Sequence, residues 1–294
     1  MRSSKKNTQV LSDISIIVSN ALAEDIGSGD ITCAAVIAQD VIMQADIYLK
    51  EKNIVVCGLE MIKEVFSQID QKVKVKFNVA EGAYLTAEKS ICTIIGPAIS
   101  ILKGERTALN FLGRLSGIAT KTQKISQLIK KYKAIVLDTR KTTPGLRILE
   151  KYAVKTGGGA NHRFGLFDQI LIKDNHIQIM RDVSGYVNLS DMIKQVRKKT
   201  AKQVKLEIEV TSLAEFKDAI QGKPDIIMLD NMNIIQMKQA VSLRNKTNKR
   251  VLLEASGNVT EKNIAGIAAC GVDFISLGSL THSFRCIDFS LKTK

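Results

Sequence analysis

The chain has 294 residues, 45% of them hydrophobic, and its 43 Lys and Arg against 29 Asp and Glu give a formal charge of +14. That is enough apolar material for one large core or two modest ones, and no apolar run approaches the roughly 20 residues a membrane-spanning helix needs. The charge admits nucleic acid, a membrane surface or a polyanionic small molecule, but 5% aromatics and no Trp argue against nucleic acid.

The five cysteines, Cys33, Cys57, Cys92, Cys270 and Cys286, include no CxxC pair. They are expected to be reduced, buried thiols of a cytosolic protein. The opening MRSSKKNTQV is charged and no apolar stretch follows it, so no secretory signal is expected and a cytoplasmic location is. Residues 10–23 carry Leu11, Ile14, Ile17, Val18 and Leu22 at helical spacing, which predicts an amphipathic helix. EDIGSGDIT, residues 24–32, reads as a turn rather than a phosphate loop, because no strand precedes it and no GxGxxG is complete.

Between residues 37 and 95 the stretches VIMQADIYLKEKNIVVCG, VKVKFNVAEGAYL and ICTIIGP alternate as half-buried strands do, with a helix expected over residues 60–66. They predict a small antiparallel sheet with helices on one face, an α+β unit without a catalytic signature. Residues 99–132 read as helix, with Leu102, Leu109, Phe111, Leu112, Leu115 and Ile118 as its apolar stripe. Gly113 and Gly117 mark either a close helix contact or a break. Arg106 and Arg114 lie two turns apart on nearly one face, and solvation is the default for each.

Beyond residue 133 the runs AIVLD, QILIKD, KLEIEV, IIMLDN, VLLEAS and FISLGS recur. Helical stretches separate most of them, at residues 189–199, 213–220, 234–243 and 261–269. Strand and helix in alternation imply a parallel sheet with right-handed crossovers. The strands finish on polar or small residues: Thr139, Arg140 and Lys141; Lys173 and Asp174; Glu209; Asp230; Glu254 and Ser256; Gly278 and Ser279. This predicts an incomplete β/α barrel, with six clear strands, a doubtful one over residues 153–156, and function at the carboxyl ends. A Rossmann sheet is the alternative, weakened by the missing glycine fingerprint.

Residues 138–176 concentrate Arg140, Lys141, Arg147, Lys155, Arg163 and Lys173 with His162 and His176, two of the chain's three histidines. A solvated basic face is the ordinary fate of such a run. Here Arg140 and Lys141 come just after one apolar run, residues 134–137, and Lys173 directly follows another, so the stretch reads as an anion site held at strand ends. The tips offer a cationic half, Arg140, Lys141, Arg163 and Lys173, suited to carboxylates and phosphates. Glu209 and Asp230 form an acidic half suited to ribose hydroxyls, a hydrated Mg²⁺, or both. The turns ASGN and SLGS, residues 255–258 and 276–279, can offer backbone N–H groups to a phosphate.

ERTALNFLGRLSGIAT, the long DTRKTTPGLRILEKYAVKTGGGANHRFGLFDQILIKDNH, LEIEV, MLDNM, EASGN and SLGSLTHS resemble the quinolinate phosphoribosyltransferase family over nearly the whole chain. The resemblance implies an α+β open-sandwich domain over residues 1–112, an incomplete β/α barrel over 113–279, and a tail, 280–294, that packs with the first domain. It implies a homodimer, or a higher oligomer, with the active site shared between subunits, and no nucleic-acid or membrane partner. It also implies the reaction of quinolinate with phosphoribosyl pyrophosphate and Mg²⁺, giving nicotinate mononucleotide, pyrophosphate and CO₂ in NAD biosynthesis.

By motif, the resemblance assigns the pyridine dicarboxylate to Arg106 (from the partner subunit), Arg140, His162, Arg163 and Lys173, with His162 a carboxylate donor in preference to a general base; Thr139 is counted among the substrate-binding residues. Lys141 would lie near the pyrophosphate. Glu209 and Asp230 would hold ribose and metal; with Lys141 and Lys173 they make the implied catalytic set. Ser256, Gly257 and Asn258, with Leu277, Gly278 and Ser279, would take the 5′-phosphate. Two departures from the family's pattern are TSLAEF after Glu209, where relatives are more acidic, and Gly113, where a larger polar residue is commoner. The competing readings are a phosphoribosyltransferase of the same fold acting on another acid, as in the molybdenum-transport-associated relatives, and a non-enzymatic nucleic-acid-binding protein.

Overall fold

The alternating stretches before residue 98 form an antiparallel sheet in the computed structural model, which describes residues 2–185 and 187–294, with side chains from residue 13 onward. The chain divides into two compact units. The first runs to Gln123 and includes Thr142–Gly158 and Leu280–Lys294; the second comprises Lys124–Lys141 and Gly159–Ser279.

The first unit opens with α1 (Arg2–Ile26), which buries Val18 and Leu22. Leu11 and the charged opening stretch lie outside the residues whose side chains are described. Within EDIGSGDIT the turn covers residues 27–30: Gly27 and Gly29 have φ of +52° and +138°, and Asp30 accepts the Cys33 N–H at 2.9 Å to cap α2 (Ile31–Val36). This six-residue helix was not expected from the sequence, because it is too short for a period to show.

Strand β1 (Ile42–Leu49), the β2 bridge (Ile54–Val55), α3 (Leu59–Ile69), β3 (Lys74–Phe77), β4 (Tyr84–Leu85) and β5 (Lys89–Pro97) follow in turn. With the final strand β12 (Phe289–Thr293), the main sheet runs β12-β1-β5-β3. Ala45, Ile47 and Leu49 of β1 are buried, as are Ile62, Val65 and Phe66 of α3. The tail thus completes the sheet as an antiparallel neighbour of β1.

Helix α4 (Ala98–Leu128) continues unbroken through Gly113 and Gly117. A Cβ at Gly117 would overlap the Arg285 carbonyl oxygen, and one at Gly113 would sit 2.7 Å from that of Ile287, so these glycines allow a close contact. Arg114 departs from the default of solvation. It pairs with the fully buried Glu150 of α5 (Arg147–Thr156), donating from Nε at 3.1 Å, bonds Thr143, and stacks 4.8 Å from the Phe284 ring. The doubtful strand over residues 153–156 is the last turn of α5: Leu149, Glu150, Ala153 and Val154 are buried at helical spacing.

In the second unit β6 (Ile135–Leu137), β7 (Ile170–Ile172), β8 (Leu206–Val210), β9 (Ile226–Asp230), β10 (Leu252–Ser256) and β11 (Phe274–Ser276) are all parallel, in the order β6-β11-β10-β9-β8-β7. Successive strands wind one way without the reversal that defines a doubly wound sheet, which rules out the Rossmann alternative. Among the described residues β6 and β7 do not pair with each other, so the sheet is short of a closed eight-stranded barrel.

The crossovers carry α6 (Asp174–Ser184), α7 (Leu189–Lys199), α8 (Leu213–Gln221), α9 (Ile234–Thr247) and α10 (Ile264–Ala268); α11 (Ser279–His282) leaves β11. Helix α6 buries only Ile177, while its apolar Ile179, Met180 and Val183 are exposed. All five cysteines are free thiols; Cys286 is exposed and the other four are buried. No helix among the described residues is long and apolar enough to cross a membrane.

Candidate active site

Because the strands of the second unit are parallel, everything that follows them lies along one edge. Thr139, Arg140 and Lys141 follow β6, Leu277 to Ser279 follow β11, and Ser256 ends β10 with Gly257 and Asn258 behind it. Asp230 ends β9, Glu209 is the penultimate residue of β8, Lys173 follows β7, and His162 and Arg163 lie in the segment leading into β7. Along the sheet order the two small-residue turns are therefore neighbours, then come the two acids, then Lys173. Arg106 belongs to the first unit. It is exposed on α4, where it lines a cleft of about 640 Å³ with Glu24, Asp25 and Asn110.

Arg163 is only 8% exposed and donates from Nη1 to the Gln169 carbonyl at 3.2 Å. Burial first, and then the charge of Arg140, push its pKa below the ordinary guanidinium value, against the pull of Glu207 and Asp168. Two like charges that repel each other, one of them buried, make a place where an anion is favoured. The cationic and acidic halves meet where Lys173 Nζ lies 2.8 Å from Glu209 Oε2. Lys141 is exposed, and its backbone N–H donates to Thr139 Oγ1 at 3.0 Å.

The His162 side chain is 7% exposed. Its backbone N–H donates to Asp138 Oδ1 at 2.9 Å, while its Nδ1 accepts the Arg163 N–H at 2.8 Å. The ring hydrogen therefore sits on Nε2, which lies 3.1 Å from Glu207 Oε2 and 3.6 Å from Glu254 Oε2. Donor atoms of these three residues lie within 4.8 Å of one another, a spacing a metal ion could bridge. A nitrogen that carries a hydrogen is no ligand, however, and the group is better described as a buried histidine set against two carboxyl groups. His176 is used locally, its Nδ1 accepting the Lys173 N–H at 2.9 Å.

For a hydrated Mg²⁺ the fitting donors are the carboxylates of Glu209 and Asp230, on adjacent strands. A residue that sequence reasoning missed holds the second of them. Asn231 adopts φ +53°, donates from Nδ2 to Asp230 Oδ2 at 2.7 Å, and accepts from Asn258 Nδ2 at 3.0 Å. Its backbone N–H donates to the Ser256 carbonyl at 2.9 Å. A Cβ at Gly257, itself at φ +88°, would run into the Asn231 side chain. The sequence signal was an Asn after an acidic strand end, a residue that tolerates the left-handed region.

The sequence model described as the quinolinate phosphoribosyl transferase C-terminal domain matches residues 118–292, and that of the N-terminal domain matches residues 30–116. The chain belongs to this family. It is 38% identical to the probable carboxylating nicotinate-nucleotide pyrophosphorylase of Bacillus subtilis, over 94% of the chain and 91% of that protein. With the corresponding probable enzyme of Methanocaldococcus jannaschii it shares 41% identity over 94% and 95% of the two chains. The solved structure of the nicotinate-nucleotide pyrophosphorylase from Francisella tularensis superposes with a TM-score of 0.87 at 39% identity, covering 96% of each chain. The Ehrlichia chaffeensis structure gives 0.87 at 36% identity, over 95% of this chain and 98% of that one. The family's two domain models meet at residues 116–118, inside α4.

Proposed function

We propose that the chain is a pentosyltransferase that joins quinolinate to the ribose of phosphoribosyl pyrophosphate and releases pyrophosphate and CO₂, leaving nicotinate mononucleotide for NAD biosynthesis. The observation that carries this reading is the buried Arg163 held beside Arg140 at the strand tips, a site made for a carboxylate-rich ligand. Family membership at about 40% identity over most of the chain supports the same reaction.

In this reading Thr139, Arg140, Arg163 and Lys173 take the dicarboxylate, and Arg106 comes from the partner of a homodimer. His162 acts one step behind, through its bond to the Arg163 N–H. Lys141 lies toward the pyrophosphate. Glu209 and Asp230 hold the ribose hydroxyls and would hold Mg²⁺, which when bound neutralises charge on the leaving pyrophosphate. Ser256, Gly257 and Asn258 share the 5′-phosphate with Leu277, Gly278 and Ser279. The site lies in a protein of the cytoplasm.

The pyridine nitrogen's lone pair forms the bond to the ribose anomeric carbon as the bond to pyrophosphate breaks, its electron pair leaving with the pyrophosphate oxygen. Lys141 meets the charge that grows there. The new pyridinium then accepts the electron pair of the adjacent ring–carboxylate bond as CO₂ departs, and a proton fills that ring position. No side-chain nucleophile is needed, so positioning and electrostatics dominate.

The test is chromatography after incubation with quinolinate, phosphoribosyl pyrophosphate and Mg²⁺. Nicotinate mononucleotide, pyrophosphate and CO₂ are expected in equal amounts; unconsumed quinolinate, with another pyridine or aromatic acid consumed instead, would overturn the assignment.

A further inference from the structure

Below the strand tips the second unit buries a carboxyl that this chemistry leaves unused. Glu254 of β10 is fully buried, and its polar surroundings are thin: the Ser276 hydroxyl of β11 is its one weak donor, and His162 Nε2 stands off at 3.6 Å from Oε2. A carboxylate stripped of water and so poorly supplied with donors is among the costliest groups to bury, so the group survives there as the neutral acid. The groups that face it are Glu207 from β8, Asp138 from β6 and His162 from the segment before β7, with Ser276 beside it. Glu207 is already engaged, its Oε2 accepting from Gln169 Nε2 at 2.6 Å. Burial first, and Glu207 second, push the Glu254 carboxyl up to about 8, against the pull of His162.

We propose that Glu254 is a positioning residue for the anion cradle: as a neutral acid 3.6 Å behind His162 Nε2 it leaves the ring turned toward Glu207, with Nδ1 on the Arg163 N–H, and so keeps Arg163 beside Arg140. The kinetic consequence rests on the functional reading above. Ionising Glu254 sets a new negative charge behind His162 and Arg163, drawing them inward and away from a bound dianion. Quinolinate KM then rises with pH, while kcat, set by groups on β6, β8 and β9, moves less.

Glu254→Gln keeps the shape and the neutrality. The wild-type quinolinate KM is expected to climb about tenfold between roughly pH 7 and pH 9.5. The variant should stay flat and, near pH 7, lie within about threefold of the wild type. Infrared difference spectra of the wild-type protein, which need no variant to fold, should show a protonated-carboxyl band near pH 7 that fades on alkaline titration. That band should be missing from Glu254→Gln. A parallel alkaline rise in both proteins, or no such band in the wild type, overturns the proposal. A wild type that shows the band but turns over no quinolinate overturns the functional reading instead.

Discussion

Glu150 and Glu254 are both fully buried carboxyls, and they meet opposite fates. Glu150 has Arg114, the Thr143 N–H and a place in the first unit where its charge is matched. Glu254 has at most the Ser276 hydroxyl and keeps a proton. That difference has a sign in the pH dependence of stability. Its folded-state pKa, about 8, stands above the ordinary 4.5, so between those values the unfolded chain has lost a proton that the folded chain retains. Stability therefore falls as pH rises through that window and levels off above it. Urea unfolding near pH 5, 7 and 9 should show Glu254→Gln gaining progressively on the wild type, by a total of order a few kcal/mol. Parallel stabilities at all three values would mean that the buried carboxyl is ionised throughout.

The elements were legible to different degrees. Six strands of the second unit stand out in the sequence because each is a short apolar run stopped by a polar or small residue, and those stops are the candidate site. Helices α2, α5 and α6 do not stand out: α2 is only six residues long, and α5 and α6 lie in or overlap the cation-rich stretch of residues 138–176. Glu207 in LEIEV and Glu254 in LLEAS lie inside strands and are fully buried, against the ordinary fate of a charged side chain. What no local pattern revealed was direction: which way His162 turns, and that Asn231 locks Asp230 to the β10 turn, both depend on strands distant in the chain. The Asn231–Gly257 contact gives a prediction at this scale. Gly257→Ala must push the Asn231 side chain aside and loosen Asp230, raising the KM for phosphoribosyl pyrophosphate by about ten- to a hundredfold. The melting temperature should stay close to wild type, and an unchanged KM would show that the lock is dispensable.

At the scale of the whole molecule, the proposed dicarboxylate set is divided between two compact units, Arg106 in the first and Arg140, Arg163 and Lys173 in the second. A homodimer that shares its sites predicts complementation. Arg106→Ala and Arg163→Ala are each expected to be inactive alone. Mixed dimers combine both lesions in one site and leave the other intact, so a random mixture should regain about a quarter of wild-type activity. Verified mixed dimers without activity would remove the shared-site proposal.

The central claim is that the strand-tip cations hold quinolinate, and calorimetric titration of that acid into the wild type and Arg140→Met measures it most directly. Loss of a charged, desolvated hydrogen-bonding partner predicts an affinity lower by about 30-fold or more. An Arg140→Met protein that binds quinolinate within about threefold of the wild type would contradict the account.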